Sequence, residues 1–572
     1  MSTVLSTLAE GGQTWAHRVR MIRQVIKIAL SISLVVGLIN FSYQNYMVDS
    51  NYHMSMWYYL KAFLGSLLSD EISVNCAFWS QASHEYFAGN TVNLPTSKVL
   101  RVTSPYYESW IQFEIYAFRK ALTFSIYTLF ISMTFFFVRG GASKKKKHIS
   151  GQKVVSAWVL RNKLRLFGKA SSIYIGNVPM LKDSETQHVL ISGGTGTGKS
   201  TCIHQMLSQI RKKGQRAVIL DATGEFVSKY YREGKDIILN PFDDRSSDWH
   251  PWAECKESYD YDSISESFIP SSNNESEGYW RSAAQSVFSA LLQKTESAKS
   301  ISGLVQILSY EPLAGMASYL EGTRAYAHID PNSERTASSI RSVACSFAQC
   351  LEFIKDTEDP FSIREWVQNE DDDSFLFICS SVAQRDTLRP LVSTWISVAI
   401  KSLIQMKPDL HRRLWFIIDE MPSLQRIKGL ETFVAEGRKY GGCGLFAIQS
   451  PAQIENIYGW KQAQVIIANC LTKVVFAEQD PKIAEDLSKM FGNREVKEYQ
   501  EGISYGAHEM RDGVNVSGQV KTHPVVSPTD IQSLRKLTAY IKYPGNFPVS
   551  VLSFKSMRAK RKGILSTQLN CK

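Results

Sequence analysis

Gln187-His188-Val189-Leu190-Ile191-Ser192 runs directly into Gly193-Gly194-Thr195-Gly196-Thr197-Gly198-Lys199-Ser200, and this stretch decides the fold. The apolar run from Val189 reads as a buried strand, the glycines as a tight loop, and Thr201 to Ile210 as a helix. Strand, glycine loop and helix in that order is the context in which such a loop cradles nucleotide phosphates. Glycine lets backbone N–H groups converge on the phosphates, Lys199 adds a point charge for the β- and γ-phosphates, and the Ser200 hydroxyl suits Mg²⁺. The positive end of the helix faces the same anion. Gly193, Gly194, Thr195, Gly196, Thr197, Gly198, Lys199, Ser200 and Thr201 are therefore the candidate nucleotide-binding residues.

Downstream, short apolar runs alternate with helical stretches, which predicts a mainly parallel sheet with helices on both faces. The candidate strands are Ala217–Leu220, Ile237–Leu239, Phe375–Cys379, Leu414–Ile418, Leu445–Ile448 and Lys473–Phe476. The run at Leu414–Ile418 ends in Asp419-Glu420. An apolar strand that delivers an acidic pair beside a phosphate loop predicts Mg²⁺ ligation by Asp419 and orientation or deprotonation of the attacking water by Glu420. Arg438, in Glu436-Gly437-Arg438-Lys439-Tyr440-Gly441-Gly442, and Gln449, after the next strand, are further candidates. In ring-shaped ATPases an arginine often reaches a neighbour's γ-phosphate, and a strand-end glutamine can sense it. On the residues alone, Arg438 reads as a solvated helix-end side chain and Gln449 as an ordinary loop residue.

From about Cys255 to Ile354 strand alternation disappears, and helical runs surround Trp280–Leu292 and Thr336–Phe353. The expected organisation is an α/β core at 151–254 and 355–572, interrupted by an all-α insertion at 255–354. The acidic Glu370–Asp373 segment is expected to be a solvated turn.

At the front, Val25 to Tyr43 is almost wholly apolar, and Ala121 to Val138 carries no charge. Each has about the 17 to 25 residues that a membrane-crossing helix needs. The long polar lead before the first, without a small-x-small site after it, argues against a cleaved signal peptide. Arg18, Arg20 and Arg23 precede the first span. Arg139, Lys144, Lys145, Lys146 and Lys147 follow the second, with Lys153, Arg161, Lys163, Arg165 and Lys169 beyond. The excess of positive charge predicts both ends in the cytoplasm, with residues 48 to 118, containing Trp57, Trp79 and Trp110, outside. Residues 1–150 thus read as a membrane anchor, and the lysine run as a topology and lipid anchor more than a DNA contact.

The 572 residues allow several domains, and the net charge of +11 points toward nucleic acid or anionic lipid. The nine cysteines form no CxxC pair and no zinc-spaced cluster with histidine. Buried thiols in a reducing compartment are expected, and Mg²⁺ is the one expected metal.

The chain resembles the type IV coupling proteins of bacterial conjugation, of the TraD/TrwB class. The likeness rests on Gln187-His188-Val189-Leu190, Asp221-Ala222-Thr223-Gly224-Glu225-Phe226 and Ile238-Leu239-Asn240-Pro241-Phe242-Asp243 with Arg245. Ile340-Arg341-Ser342-Val343, Leu388-Arg389-Pro390-Leu391, the acidic pair, Gln449-Ser450 and the two spans add to it. The resemblance implies an α/β RecA-like phosphate-loop ATPase core with an all-α insertion, preceded by two transmembrane helices and assembled as a homo-hexamer in the bacterial inner membrane. It implies DNA-stimulated hydrolysis of ATP with Mg²⁺, coupled to delivery of single-stranded DNA and its relaxase from the relaxosome into a type IV secretion channel. It makes Lys199 and Ser200 the phosphate and Mg²⁺ ligands, Arg438 a trans-acting finger and Gln449 a phosphate sensor. One departure concerns the end. Some relatives carry a long acidic extension, whereas here a short basic tail with Arg558, Lys560, Arg561 and Lys562 follows the strand Val549–Phe554, so recognition by an acidic tail is not expected.

Three other readings stay open on sequence. A coupling ATPase that selects protein effectors would use the same residues. A double-stranded DNA translocase of the FtsK type would usually add spans, a long linker and a winged-helix module. A membrane receptor that only binds nucleotide would not need Lys199, Asp419 and Glu420 together.

Overall fold

The computed structural model describes residues 2–67, 69–143, 147–272, 274–504 and 513–555. Lys144, Lys145 and Lys146 of the basic run, and Arg558, Lys560, Arg561 and Lys562 of the tail, lie outside them. The chain divides into two compact units, Met1–Lys146 and Lys147–Lys572.

The first unit contains α1 (Ser2–Tyr46), α2 (Ser50–Gly65), β1 (Glu71–Asn75), α3 (Cys76–Ser83), β2 (Thr91–Pro95) and α4 (Thr96–Ser143). Two of its helices, over Val19–Tyr46 and Thr96–Arg139, are long and apolar enough to cross a membrane. Both exceed the expected 25–43 and 121–138, and α4 runs through Pro105 before it reaches its apolar run. At 48 residues, α4 is about 70 Å long, over twice a hydrocarbon core. Small residues let α1 and α4 approach: Ser33 Oγ donates to the Ser125 carbonyl at 2.6 Å, and Ser125 Oγ to the Ser33 carbonyl at 2.9 Å. The segment between them has its own core, in which Trp79 is fully buried beside Tyr58, Ile72, Val74 and Phe78.

The second unit opens with β3 (Lys147–Ser150), β4 (Val154–Ser156), α5 (Ala157–Leu166), the hairpin β5 (Ala170–Ile175) and β6 (Val178–Leu181), then β7 (Val189–Ser192) and α6 (Lys199–Lys212). Next come β8 (Arg216–Asp221), α7 (Glu225–Tyr230) and β9 (Ile237–Leu239). A helical stretch follows: α8 (Ser258–Phe268), α9 (Glu275–Lys294), α10 (Ile301–Val305), α11 (Leu313–Tyr319), α12 (Glu334–Ala348) and α13 (Ile363–Gln368). The chain then returns through β10 (Phe375–Cys379), α14 (Arg385–Ile404), β11 (Leu414–Ile418), α15 (Leu430–Glu436), β12 (Gly442–Ile448), α16 (Pro451–Tyr458), α17 (Trp460–Asn469) and β13 (Thr472–Phe476). It ends with α18 (Pro481–Lys489), β14 (Asn493–Ser504), β15 (Gly513–Pro524), α19 (Pro528–Gln532), β16 (Thr538–Lys542) and β17 (Val549–Ser553).

Ten strands form one sheet in the order β4-β17-β16-β13-β7-β12-β11-β8-β10-β9. From β13 to β9 every neighbouring pair is parallel. These strands are buried on both faces, so alternate residues feed two different cores. Leu190, Val218, Leu376, Phe416 and Phe446 join the core that also holds α8, α9 and α14. Val189, Ile191, Ile219, Phe377, Trp415 and Leu445 join the core beneath α6. Burying each such side chain contributes about 1.5–3 kcal/mol.

Two features depart from the sequence reading. Residues 493–504 and 513–524 pair as two long antiparallel strands, with β3 added alongside β14, where no strand was expected. The Glu370–Asp373 turn is ion-paired rather than merely solvated. Asp373 accepts from Arg232 at 3.1 Å and Lys235 at 2.5 Å, and Glu370 accepts from Arg412 at 2.6 Å.

Candidate active site

The glycine loop leaves the carboxyl end of β7, which lies between β12 and β13 in the sheet. Gly193 sits at φ +142°, and a Cβ there would come within 2.7 Å of the Phe476 Cβ, so only glycine lets the loop pass β13. The loop is pinned on both sides. Gly194 N–H donates to the Ala477 carbonyl at 2.8 Å, and Leu537 N–H to the Thr197 carbonyl at 2.9 Å. Thr197 Oγ1 closes the turn onto the Gly194 carbonyl at 2.8 Å. Lys199, the first residue of α6, folds back so that Nζ donates to the carbonyls of Gly193 at 2.6 Å and Gly194 at 3.0 Å. Burial holds its ammonium below the usual lysine value, while Asp419, Glu478 and Glu420 act in the opposite direction. A half-buried cation aimed at its own loop, at a helix N-terminus, is a seat for anionic oxygens. Ser200 and Thr201 follow it in the first turn, partly buried.

The order β7-β12-β11 explains why distant residues meet. Gln449 leaves the carboxyl end of β12 between the loop and the acidic pair, and its carbonyl accepts from Ser192 Oγ at 3.3 Å. Asp419 and Glu420 leave the end of β11. Asp221, fully buried at the end of β8, accepts from the backbone N–H groups of Gly224 at 2.8 Å and Val227 at 2.9 Å, so its carboxylate is fixed at the start of α7. Burial pushes the Asp419 carboxyl up to about 6, and the Asp221 charge adds to the rise against the pull of Lys199. A carboxylate raised this way gains from a cation. The donor set of hard oxygens at Ser200 and Asp419 therefore fits a Mg²⁺ ion carried in with phosphates.

The structure thus brings Lys199, Asp419, Glu420 and Gln449 to one edge of the sheet. It does not bring Arg438 there. Arg438 is exposed in the 3-10 turn Gly437–Tyr440, before the amino end of β12. Seven residues of strand separate it from Gln449, roughly 20 Å along the sheet.

Three residues of this edge were missed from sequence. Glu478, almost fully buried after β13, accepts from the N–H groups of Gln479 at 2.9 Å and Asp480 at 3.2 Å, close beside Gly194. Arg385 Nη2 lies 3.5 Å from Glu420 Oε2. Asp221 is the third. Asp221 and Glu478 each follow an apolar strand, a signal that could have found them, whereas nothing local marks Arg385.

Comparison with known proteins agrees with this geometry. The family model described as the type IV secretion-system coupling protein DNA-binding domain matches residues 172–555. The coupling protein TraD of Escherichia coli strain K12 is 31% identical, over 97% of this chain and 78% of that protein. The solved bacterial conjugative coupling protein TrwBdeltaN70, in an unbound form, superposes with a TM-score of 0.66 at 29% identity, covering 73% of this chain and 96% of that one. The plasmid coupling protein TrwB in complex with ADP and Mg²⁺ gives 0.65 at 29% identity, covering 72% of this chain and 95% of that one. With a match spanning most of its length and a sheet edge built for phosphates, the chain belongs to the family of type IV secretion-system coupling proteins.

Proposed function

We propose that this chain is the ATP-hydrolysing motor of a conjugative coupling complex. The carrying observation is the convergence of Lys199, Asp419 and Glu420 on one sheet edge beside a glycine loop whose lysine is already aimed at the phosphate seat. ATP sits with its phosphates on the N–H groups of Gly193–Thr201, and the Lys199 ammonium exchanges its loop carbonyls for phosphate oxygens. Ser200 and Asp419 hold Mg²⁺, which when bound screens the phosphate charge. Glu420 orients the attacking water and accepts its proton. Gln449, between loop and acidic pair, reads the γ-phosphate. Arg438, far from its own loop, completes the site of a neighbouring subunit in a homo-hexamer.

Around this site we read residues 1–150 as a two-span anchor in the bacterial inner membrane with both termini cytoplasmic. Residues 151–254 and 355–572 form the RecA-like domain, and 255–354 an all-α insertion. Hydrolysis is stimulated by single-stranded DNA and drives it, with its relaxase, from the relaxosome into a type IV secretion channel. The basic net charge supports a polyanionic substrate.

The test is steady-state ATP hydrolysis by the full chain in lipid nanodiscs, with and without single-stranded DNA, beside Lys199→Ala. Stimulation by DNA that the substitution abolishes supports the motor. Hydrolysis indifferent to DNA favours a coupling ATPase that selects protein effectors, and no hydrolysis overturns the reading.

A further inference from the structure

The carboxylate assigned to the attacking water is held by an arginine from two strands away. Arg385 opens α14, which follows β10, and β8 lies between β10 and β11. From there Nη2 reaches to 3.5 Å from Glu420 Oε2, with the two side chains 23% and 37% exposed. A pair this exposed is weak and opens readily. The Arg385 Nε is buried without a hydrogen-bond partner among the described residues, so that nitrogen adds no hold on the guanidinium.

One helical turn along, Arg389 lines an open cleft of about 620 Å³ with Asp386, Arg281, Arg426 and Asn274, where Arg281 pairs with Glu277 and Arg426 with Glu431. Arg389 pairs with Asp386 in the same turn. Pro390 has no N–H to give, so the Asp386 carbonyl lacks its helical donor and this turn is held more loosely than the rest of α14. The first two turns of one helix therefore join a cleft of three arginines, held in partly exposed ion pairs that phosphates can displace and of a size that suits nucleotide units, to the catalytic carboxylate.

We propose that Arg385 is a positioning residue that tethers Glu420 away from the attacking water in the resting protein, and that a single strand of nucleic acid seated on the Arg389 cleft draws this turn aside and frees the carboxylate. The inference rests on the motor reading above and adds how polynucleotide binding is sensed.

The experiment measures ATP hydrolysis against ATP concentration for the full chain in nanodiscs, with and without an oligothymidylate strand. It compares wild type, Arg385→Gln, Arg385→Lys and Arg389→Gln. Arg385→Gln is expected to raise the DNA-independent kcat about fivefold, the worth of one exposed ion pair, with KM for ATP within about twofold. The stimulation ratio shrinks by the same factor, and Arg385→Lys, which keeps the charge, falls between. Arg389→Gln is expected to raise the strand concentration for half-maximal stimulation about fivefold. An Arg385→Gln protein with unchanged kcat and stimulation, or with both reduced together as a purely structural role would give, overturns the proposal. So does an Arg389→Gln protein with unchanged strand dependence. Wild-type protein without Lys199-dependent hydrolysis overturns the motor reading as well, so the two failures are distinguishable.

Discussion

Asp419 carries the clearest electrostatic signature of any single residue. Its carboxyl is raised to about 6 by burial and by Asp221, from an ordinary value near 3.8. The folded state therefore binds this proton more tightly than the unfolded chain. The stabilisation is fully present below about pH 4 and is lost as pH rises through 6. Above that, ionised Asp419 costs the nucleotide-free fold about 3 kcal/mol. Asp419→Asn removes the cost, so its melting temperature should exceed that of wild type at pH 8 and converge with it near pH 4, while hydrolysis is lost. A gap that persists at pH 4 would mean that packing, not ionisation, sets the difference. Lys199 and the acidic pair were legible in the sequence because each motif is local. Asp221 and Arg385 were not assigned roles, since their link to Glu420 and Asp419 runs across strands whose order is not written along the chain.

The position of the phosphate loop depends on how α6 is anchored at its far end. Arg211, in the last turn, makes a paired contact with Asp236 at 2.7 and 2.9 Å, and its guanidinium lies 3.3 Å from the Phe375 ring centroid. Asp236, fully buried, also accepts from Phe375 N–H at 2.8 Å and from Arg232 N–H at 2.8 Å. One carboxylate thus ties α6 to β9 and the first residue of β10. Asp236→Ala would strand a desolvated guanidinium and two backbone donors, an expected loss of about 3–5 kcal/mol in a urea unfolding titration. A loss below 1 kcal/mol, the range of an exposed pair, would show that the network does not act as a buried one. Apolar runs made the parallel strands readable: Ile237–Leu239, Phe375–Cys379 and Leu414–Ile418 match the structure residue for residue. The β14–β15 pairing escaped because β14 is mostly charged and polar, with Val496, Tyr499 and Ile503 too scattered to alternate, and its pairing uses cross-strand contacts such as Lys521 to Glu498 at 3.3 Å.

At the scale of the whole molecule, the separation of Arg438 from its own phosphate loop sets a requirement on assembly. Arg438 stands at the amino edge of the sheet and the loop at the carboxyl edge, roughly 20 Å apart along β12. An exposed arginine at that distance serves catalysis only if a second subunit presents its carboxyl edge to it. In the ring proposed above, every site is then built from two chains, one giving Lys199, Asp419 and Glu420 and the next giving Arg438. Arg438→Ala alone should lower kcat by about 10³ while leaving ATP affinity within a few-fold, because the residue meets charge that develops in transfer. Lys199→Ala alone should be inactive through loss of the phosphate contact. Mixing the two inactive variants before reconstitution provides the decisive comparison. Wherever an Arg438→Ala subunit offers its intact loop to the intact Arg438 of a Lys199→Ala neighbour, one complete site is restored, so the mixture should hydrolyse ATP above either parent. A mixture no more active than its parents, in particles that contain both chains, would place the contribution of Arg438 within a single subunit or outside catalysis.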